Sequence, residues 1–380
     1  MANYFRIGGH VVGNEPHGGK RRFALAMMLV LVTVASGDGQ SLAVPLVRRG
    51  IWIGAYVPPS PWESMNAVRD LERNIGRRLD VVHIYKAWGE VWGQYDDHAV
   101  RELTLATADN RRVLITWEPW AHSQGVNQPS FSLASIATGE HDTYIRSWAY
   151  GLRDFLGTVY LRPMHEMNGN WYPWAGGVNR NSATDYIAAW RHMHDVFAQA
   201  GANNVRWVWS PYALDVPTEN KFEAYYPGHE YVDVLALDAY NWGVGGDHPE
   251  GDGSGTHSAD SNGRSRWQGV DELLSDPYRR LAKVGRQPVW LAEVGSAEQG
   301  GDKATWLRTL LESRGYDRVT AIVWFDADKE RDWRITSSAR VAATVARALA
   351  GTHPARDMEV APACPGVYRA QPVQPPSSEP

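Results

Sequence analysis

Cysteine is almost missing from this chain. Of 380 residues only Cys364 is a cysteine, which excludes an internal disulfide framework and a multi-cysteine metal centre. A surplus of positive charge is missing too. Lys and Arg number 38 against 43 Asp and Glu, a net charge of −5, so the electrostatic footprint of a nucleic-acid binder is absent. The apolar run Phe23–Ala35 has 13 residues, short of the ~20 that a membrane span needs. No Gly-rich phosphate loop follows the first strand-like run, which argues against a dinucleotide-binding sheet. Phenylalanine is scarce, with 7 Phe beside 18 Trp and 17 Tyr. Rings with a polar handle suit a protein that buries one end of something and wets the other.

The ends of the chain read differently from its middle. Lys20-Arg21-Arg22, the Phe23–Ala35 run and Ser36-Gly37-Asp38 make the basic, apolar and small-residue sections of a secretory signal. Residues 1–37 are therefore expected to be cleaved on export, leaving a secreted or cell-envelope protein with no stable membrane span. An uncleaved anchor or a misplaced start codon would leave the same pattern. Residues 352–380 hold seven Pro and little apolar periodicity, the composition of a disordered tail. Residues 38–351 remain as one folded domain.

Eight short apolar runs punctuate that domain: 51–57, 81–88, 113–120, 159–167, 205–212, 232–240, 288–295 and 321–328. They are β-branched and aromatic, and nearly continuous. Strands buried on both faces of a parallel sheet have this character. Helical patterns over 62–78, 97–109, 140–155, 182–200, 270–285, 303–314 and 337–350 fall between or after them. In 182–200, Tyr186, Trp190, Met193 and Phe197 share one face, with Ser182 placed as N-cap. Eight βα units in about 300 residues predict an α/β fold, a single (β/α)8 TIM barrel. A doubly wound open sheet is the competing arrangement.

A barrel puts its active site at the C-terminal ends of the strands. Glu166 falls at the end of the fourth apolar run, in RPMHEMNGNWYPW, and Glu293 at the end of the seventh, in LAEVG. Two carboxyl groups across a mouth rimmed with Trp and Tyr suit glycoside hydrolysis. One carboxyl must stay protonated to serve the leaving oxygen, and the other must be ionised. Aromatic faces stack on the apolar faces of sugar rings.

RPMHEMNGNWYPW with the later LAEVG resembles glycoside hydrolase family 26, TIM-barrel enzymes that include retaining endo-β-mannanases and related β-glucanases. The likeness spans roughly residues 50–350. It implies Glu166 as general acid/base and Glu293 as nucleophile. It further implies that His165 holds the acid/base region and approaches the sugar, that Tyr240 hydrogen-bonds the nucleophile, and that Arg162 orients carboxylates. Trp171 and Trp324 are implied as sugar platforms, and Trp117, Trp120 and Glu118 join the substrate-binding set. Retention requires the two carboxyl groups to stand about 5–5.5 Å apart. The reaction needs no cofactor and no metal, and a polysaccharide is the expected partner of a monomer.

The resemblance implies β-1,4-mannan as the first substrate, through a mannan endo-1,4-β-mannosidase activity. Two features pull toward mixed-linkage β-1,3-1,4-glucan or an exopolysaccharide. Tyr172-Pro173-Trp174 departs from the mannanase pattern, and TWEPW and YNWG resemble the glucan-cutting members. A polysaccharide-binding barrel that does not cut is the alternative from another class. The long loop 241–269 is expected over the site, closing on substrate through Trp242 or Trp267, binding calcium through Asp247 and Asp252, or disordered.

Overall fold

The computed structural model of the chain describes residues 50–244, 266–350 and 352. The signal-like segment, the tail beyond 352, and Asp247 and Asp252 lie outside them. Eight strands form: β1 (Trp52–Tyr56), β2 (Val81–Ala87), β3 (Arg112–Glu118), β4 (Val159–Pro163), β5 (Val205–Trp209), β6 (Val234–Asn241), β7 (Val289–Ser296) and β8 (Val319–Phe325). They run parallel in chain order, and β8 pairs with β1 to close the barrel. The expected (β/α)8 barrel is borne out.

Both faces of each strand are used. Trp52, Val81, Leu114, Tyr160, Val208, Val234, Trp290 and Val323 fill the barrel interior. The alternate residues pack outward under the helices α1 (Asn66–Ile75), α2 (Asp97–Thr107), α3 (Leu133–Ala137), α4 (Asp142–Asp154), α5 (Ala183–Ala200), α6 (Val270–Val284), α7 (Lys303–Glu312) and α8 (Ala339–Leu349). Helix α5 shows why the segment stops and starts where it does. The Ser182 side chain accepts from the Asp185 N–H while Asp185 returns the bond, and Gly201 ends the helix in the left-handed region. Tyr186, Trp190, Met193 and Phe197 are buried on its inner face. Each such side chain contributes roughly 1.5–3 kcal/mol of burial free energy.

Two details differ from the expected pattern. A short helix that no pattern announced, α3, joins α4 between β3 and β4, while the crossover from β5 to β6, where the sequence shows no helical pattern, contains only 3₁₀ turns at Phe222–Tyr225 and His229–Tyr231. Strand β4 also stops at Pro163, four residues before its apolar run ends. Met164 and Glu166 have φ of 47° and 54°, a left-handed backbone that cannot continue a ladder. Among the described residues no helix is long and apolar enough to cross a membrane.

Candidate active site

The turn after β4 is built around Asn168 and Gly169. The buried Asn168 amide donates to the Tyr212 carbonyl at 2.9 Å and to Asp215 at 3.0 Å, and its oxygen accepts from the Tyr212 N–H at 2.9 Å. It thereby stitches this turn to the one after β5. A Cβ on Gly169 would meet the Trp171 indole at 2.5 Å, so only glycine lets that ring fold back. Once folded back, Trp171 Nε1 donates to Glu166 Oε2 at 2.6 Å. Behind them Tyr172 stacks on Trp174 with centroids 4.5 Å apart and planes 10° off parallel. Trp174 Nε1 donates to the His165 carbonyl at 2.7 Å, and His165 Nε2 lies 3.0 Å from the Tyr172 hydroxyl. The crowded rings of this stretch thus divide the work. Trp171 and Tyr172 face the cleft, and Trp174 props the turn from behind.

Glu293 owes its direction to an irregular strand. Leu291 and Val294 both pack outward, and the β7–β8 register shifts between them. The extra residue turns Glu293 into the mouth, a common use of a β-bulge. Its Oε2 accepts from the Tyr240 hydroxyl at 2.7 Å, and its Oε1 pairs with the Arg162 Nη2 group. Arg162 is wholly buried. Its Nη1 donates to both oxygens of Asp238 at 2.7 Å, and its Nε donates to Thr116 at 2.8 Å. Ser210 donates to Asp238 at 2.8 Å, and the buried His83 sits 2.7 Å from the same Thr116 hydroxyl. His165 Nε2 stands 4.0 Å from Glu293.

One guanidinium therefore serves two carboxyl groups, and Glu166 makes a third without contact to a cation. Burial, with repulsion from Asp238 and Glu293, pushes the Glu166 carboxyl well above its ordinary range. Burial beside Arg162 pushes His165 well below its ordinary range, so its ring is neutral. Burial lifts Glu118 to about 7, and the charge of Glu293 adds to the effect. Glu166, pushed toward its protonated form, shares the mouth with a second carboxyl group bonded to a cation and a phenol, the pairing that acid-assisted displacement requires. His165, Glu166 and Asp238 also present ligand-type atoms within 4.8 Å of one another. A metal ion does not fit there, because the Arg162 guanidinium already bonds both Asp238 oxygens.

A cleft of about 1270 Å³ runs over these groups. Of the residues expected from sequence, Glu166, Glu293, Glu118, Trp120, Trp171 and Tyr240 line it. His165 and Arg162 stand beneath its wall, bonded to residues that do. Trp117 and Trp324 require correction as sugar contacts. Both are buried and packed outward under the helices, Trp117 against Trp148 and Phe197. The period of two decides this. Thr116 and Glu118 point inward on either side of Trp117, and Phe325 takes the mouth-facing position beside Trp324. Trp242 lines the cleft, whereas Trp267 packs on the outer core.

Several cleft residues escaped sequence reasoning. Trp333, in the loop after β8, stands 4.9 Å from Tyr240 and 5.0 Å from Trp242. A Cβ on Gly295 would meet both the Trp333 and Tyr240 rings at 3.0 Å, so that glycine makes their space. Tyr56, Tyr85, Tyr212, Trp62 and Trp92 also line the wall. Asp238, buried beneath the cleft, escaped as well, although it carried a usable signal. It lies two residues before Tyr240 on the same strand, hence on the same face.

A closed parallel barrel with two buried glutamates opening into a ring-walled cleft defines the glycoside-hydrolase class of TIM barrels. Residues 141–247 match the profile of Glycosyl hydrolase family 26. Endoglucanase H of Acetivibrio thermocellus is 35% identical over 335 residues, 87% of this chain and 33% of that protein. Mannan endo-1,4-beta-mannosidase A and B of Caldalkalibacillus mannanilyticus is 37% identical over 146 residues, 37% of this chain and 22% of that protein. The chain thus spans about a third or less of the length of these two relatives. A Bacillus subtilis mannanase structure superimposes with a TM-score of 0.56 at 17% identity, covering 87% of this chain and 91% of that one. The chain belongs to glycoside hydrolase family 26.

Proposed function

We propose that the protein cuts internal β-1,4 linkages of a neutral polysaccharide with retention of configuration. The observation that carries this reading is the unequal treatment of two carboxyl groups in one cleft. Glu166 is held protonated, and Glu293 is bonded to a guanidinium and a phenol. Glu293 attacks the anomeric carbon while Glu166 gives its proton to the departing oxygen. A glycosyl-enzyme ester forms and the leaving chain diffuses away. Glu166, now a carboxylate, takes a proton from water, whose oxygen displaces Glu293 at the same carbon. Two inversions restore the original configuration. Trp171 orients Glu166, Tyr240 and Arg162 position Glu293, and neutral His165 holds Tyr172 in the wall.

Neutral chains suit the cleft. Among the described residues, Glu63, Glu90, Glu118, Asp328 and Glu330 line it with Lys329 as the one Lys or Arg, a lining that disfavours an anionic polymer. Glucan is the first substrate of this proposal, because the relative that matches along nearly the whole barrel is named an endoglucanase. Mannan is the second, because the relatives matching shorter segments are named mannan endo-1,4-beta-mannosidases. Export with loss of residues 1–37 belongs to the same proposal, and N-terminal sequencing of protein recovered outside the cell tests it. Activity is tested by reducing-sugar release from barley mixed-linkage β-glucan, glucomannan, galactomannan and xylan, with Glu293→Ala as blank. Release from a glucan or mannan that is lost in the variant supports the reading. Silence on all four, with retardation in polysaccharide gels, would support a barrel that binds without cutting.

A further inference from the structure

We propose that Trp62 and Trp92 form a distal sugar-binding shelf, on the β1–β2 side of the cleft, that stacks on a pyranose ring of the polysaccharide away from the cleaved bond. This rests on the function proposed above. Most tryptophans of the barrel are buried, but Trp62 is 45% exposed and Trp92 39%. Both line the same cleft as Glu166 and Glu293, and they come from the loops after β1 and β2. Apolar rings left open along a cleft that leads to a catalytic pair are placed to meet the rest of a long substrate.

The shelf is rigidly built. Lys86 Nζ, itself buried, donates to the Trp92 carbonyl at 2.8 Å and lies 5.9 Å from the Trp92 ring. Lys86 is paired with the buried Glu102 carboxylate, and His98 stands 3.3 Å from the other oxygen of Glu102. The next carbonyl, of Gly93, accepts from the Tyr144 hydroxyl at 2.7 Å and from Trp148 Nε1 at 3.1 Å. A Cβ on Gly93 would lie 1.8 Å from the Ala87 carbonyl oxygen, so this turn is pressed onto the end of β2 as only glycine allows. On the other side Arg101 Nη2 donates to the carbonyl of Glu63, the neighbour of Trp62, at 3.2 Å. Arg101 and Glu102 are adjacent on α2, so one helix braces both loops. A buried ion pair and a clamped turn under an open indole are supports for a platform, since a preorganised ring loses little entropy on binding. Glu63 and Glu90 beside the rings are acceptors for sugar hydroxyls.

The test uses the full chain carrying Glu293→Ala, so that polysaccharide survives, on native gels containing barley mixed-linkage β-glucan or glucomannan. Loss of both rings (Trp62→Ala with Trp92→Ala) is expected to weaken retardation about tenfold, a few-fold for each lost stack. Phe at both positions is expected to restore most of it, which a merely structural loss would not show. Undiminished retardation in the alanine variant overturns the shelf, and so does a loss that Phe does not restore. No retardation of the parent in either gel overturns it as well. Sugar release by the wild-type chain is read separately. Release without ring-dependent retardation rejects the shelf alone, and neither release nor retardation rejects the proposed function too.

Discussion

Glu166 combines a left-handed backbone, near-complete burial and a hydrogen bond to its carboxyl group from Trp171 Nε1. Strain of this kind persists where the surroundings over-determine it. Here the Glu166 N–H bonds the Ser210 carbonyl at 2.8 Å, which pins the peptide. As general acid, Glu166 works while protonated, so activity is expected to fall as pH rises through its elevated pKa. Glu166→Ala is expected to lower kcat by about 10²–10⁴-fold on polysaccharide. The loss should be much smaller on an aryl glycoside whose leaving group needs no proton, and initial rates on the two substrates check this. Glu118 supplies a separate pH effect. Its folded pKa of about 7 exceeds the ordinary 4.5, so its stabilising contribution is complete below about 4.5 and lost as pH rises through about 7. The interval amounts to about 3 kcal/mol. Glu118→Gln is therefore expected to flatten the fall in Tm between pH 5 and 8, measured by thermal melts across that range.

At the scale of elements, the turn after β4 and the bulge in β7 aim the two glutamates. Gly169→Ala is expected to push Trp171 off Glu166, because no Cβ fits 2.5 Å from the indole. It should lower kcat severalfold or more and leave the fold intact, as steady-state kinetics with circular dichroism would show. The sequence disclosed both glutamates, since each ends an apolar run in a motif with neighbours of the right chemistry. It also disclosed Ser182 as a cap and the barrel order. The family resemblance misled at Trp117 and Trp324, which both pack on the outer face of their strands. The alternation of Thr116, Trp117 and Glu118 already contained the answer, because one face cannot hold both Glu118 and Trp117. The bulge at Glu293 was not legible, because a shift in β7–β8 register depends on the partner strand. Trp333 was not legible either, since its position comes from a loop with no periodicity.

Across the whole molecule, the site is continuous with the core. Arg162 bridges β4 to Asp238 on β6 and Glu293 on β7, and reaches Thr116 on β3. Its removal leaves two buried carboxyl groups without their cation. Arg162→Met is expected to cost about 3–5 kcal/mol, with a lowered midpoint in urea unfolding, besides abolishing activity. Arg162 bonds Asp238 and Glu293 and leaves Glu166 without a cation, and that unequal sharing, with Glu293 as nucleophile and Glu166 as acid, is the central claim. The measurement that tests it most directly is proton NMR of the sugar released in the first minutes of digestion, before mutarotation. Barley β-glucan serves as substrate, or glucomannan if that is the chain cut, with Glu293→Ala as blank. The account predicts that the β-anomer forms first and that the variant forms none. First appearance of the α-anomer, or β-product from the variant, would contradict it.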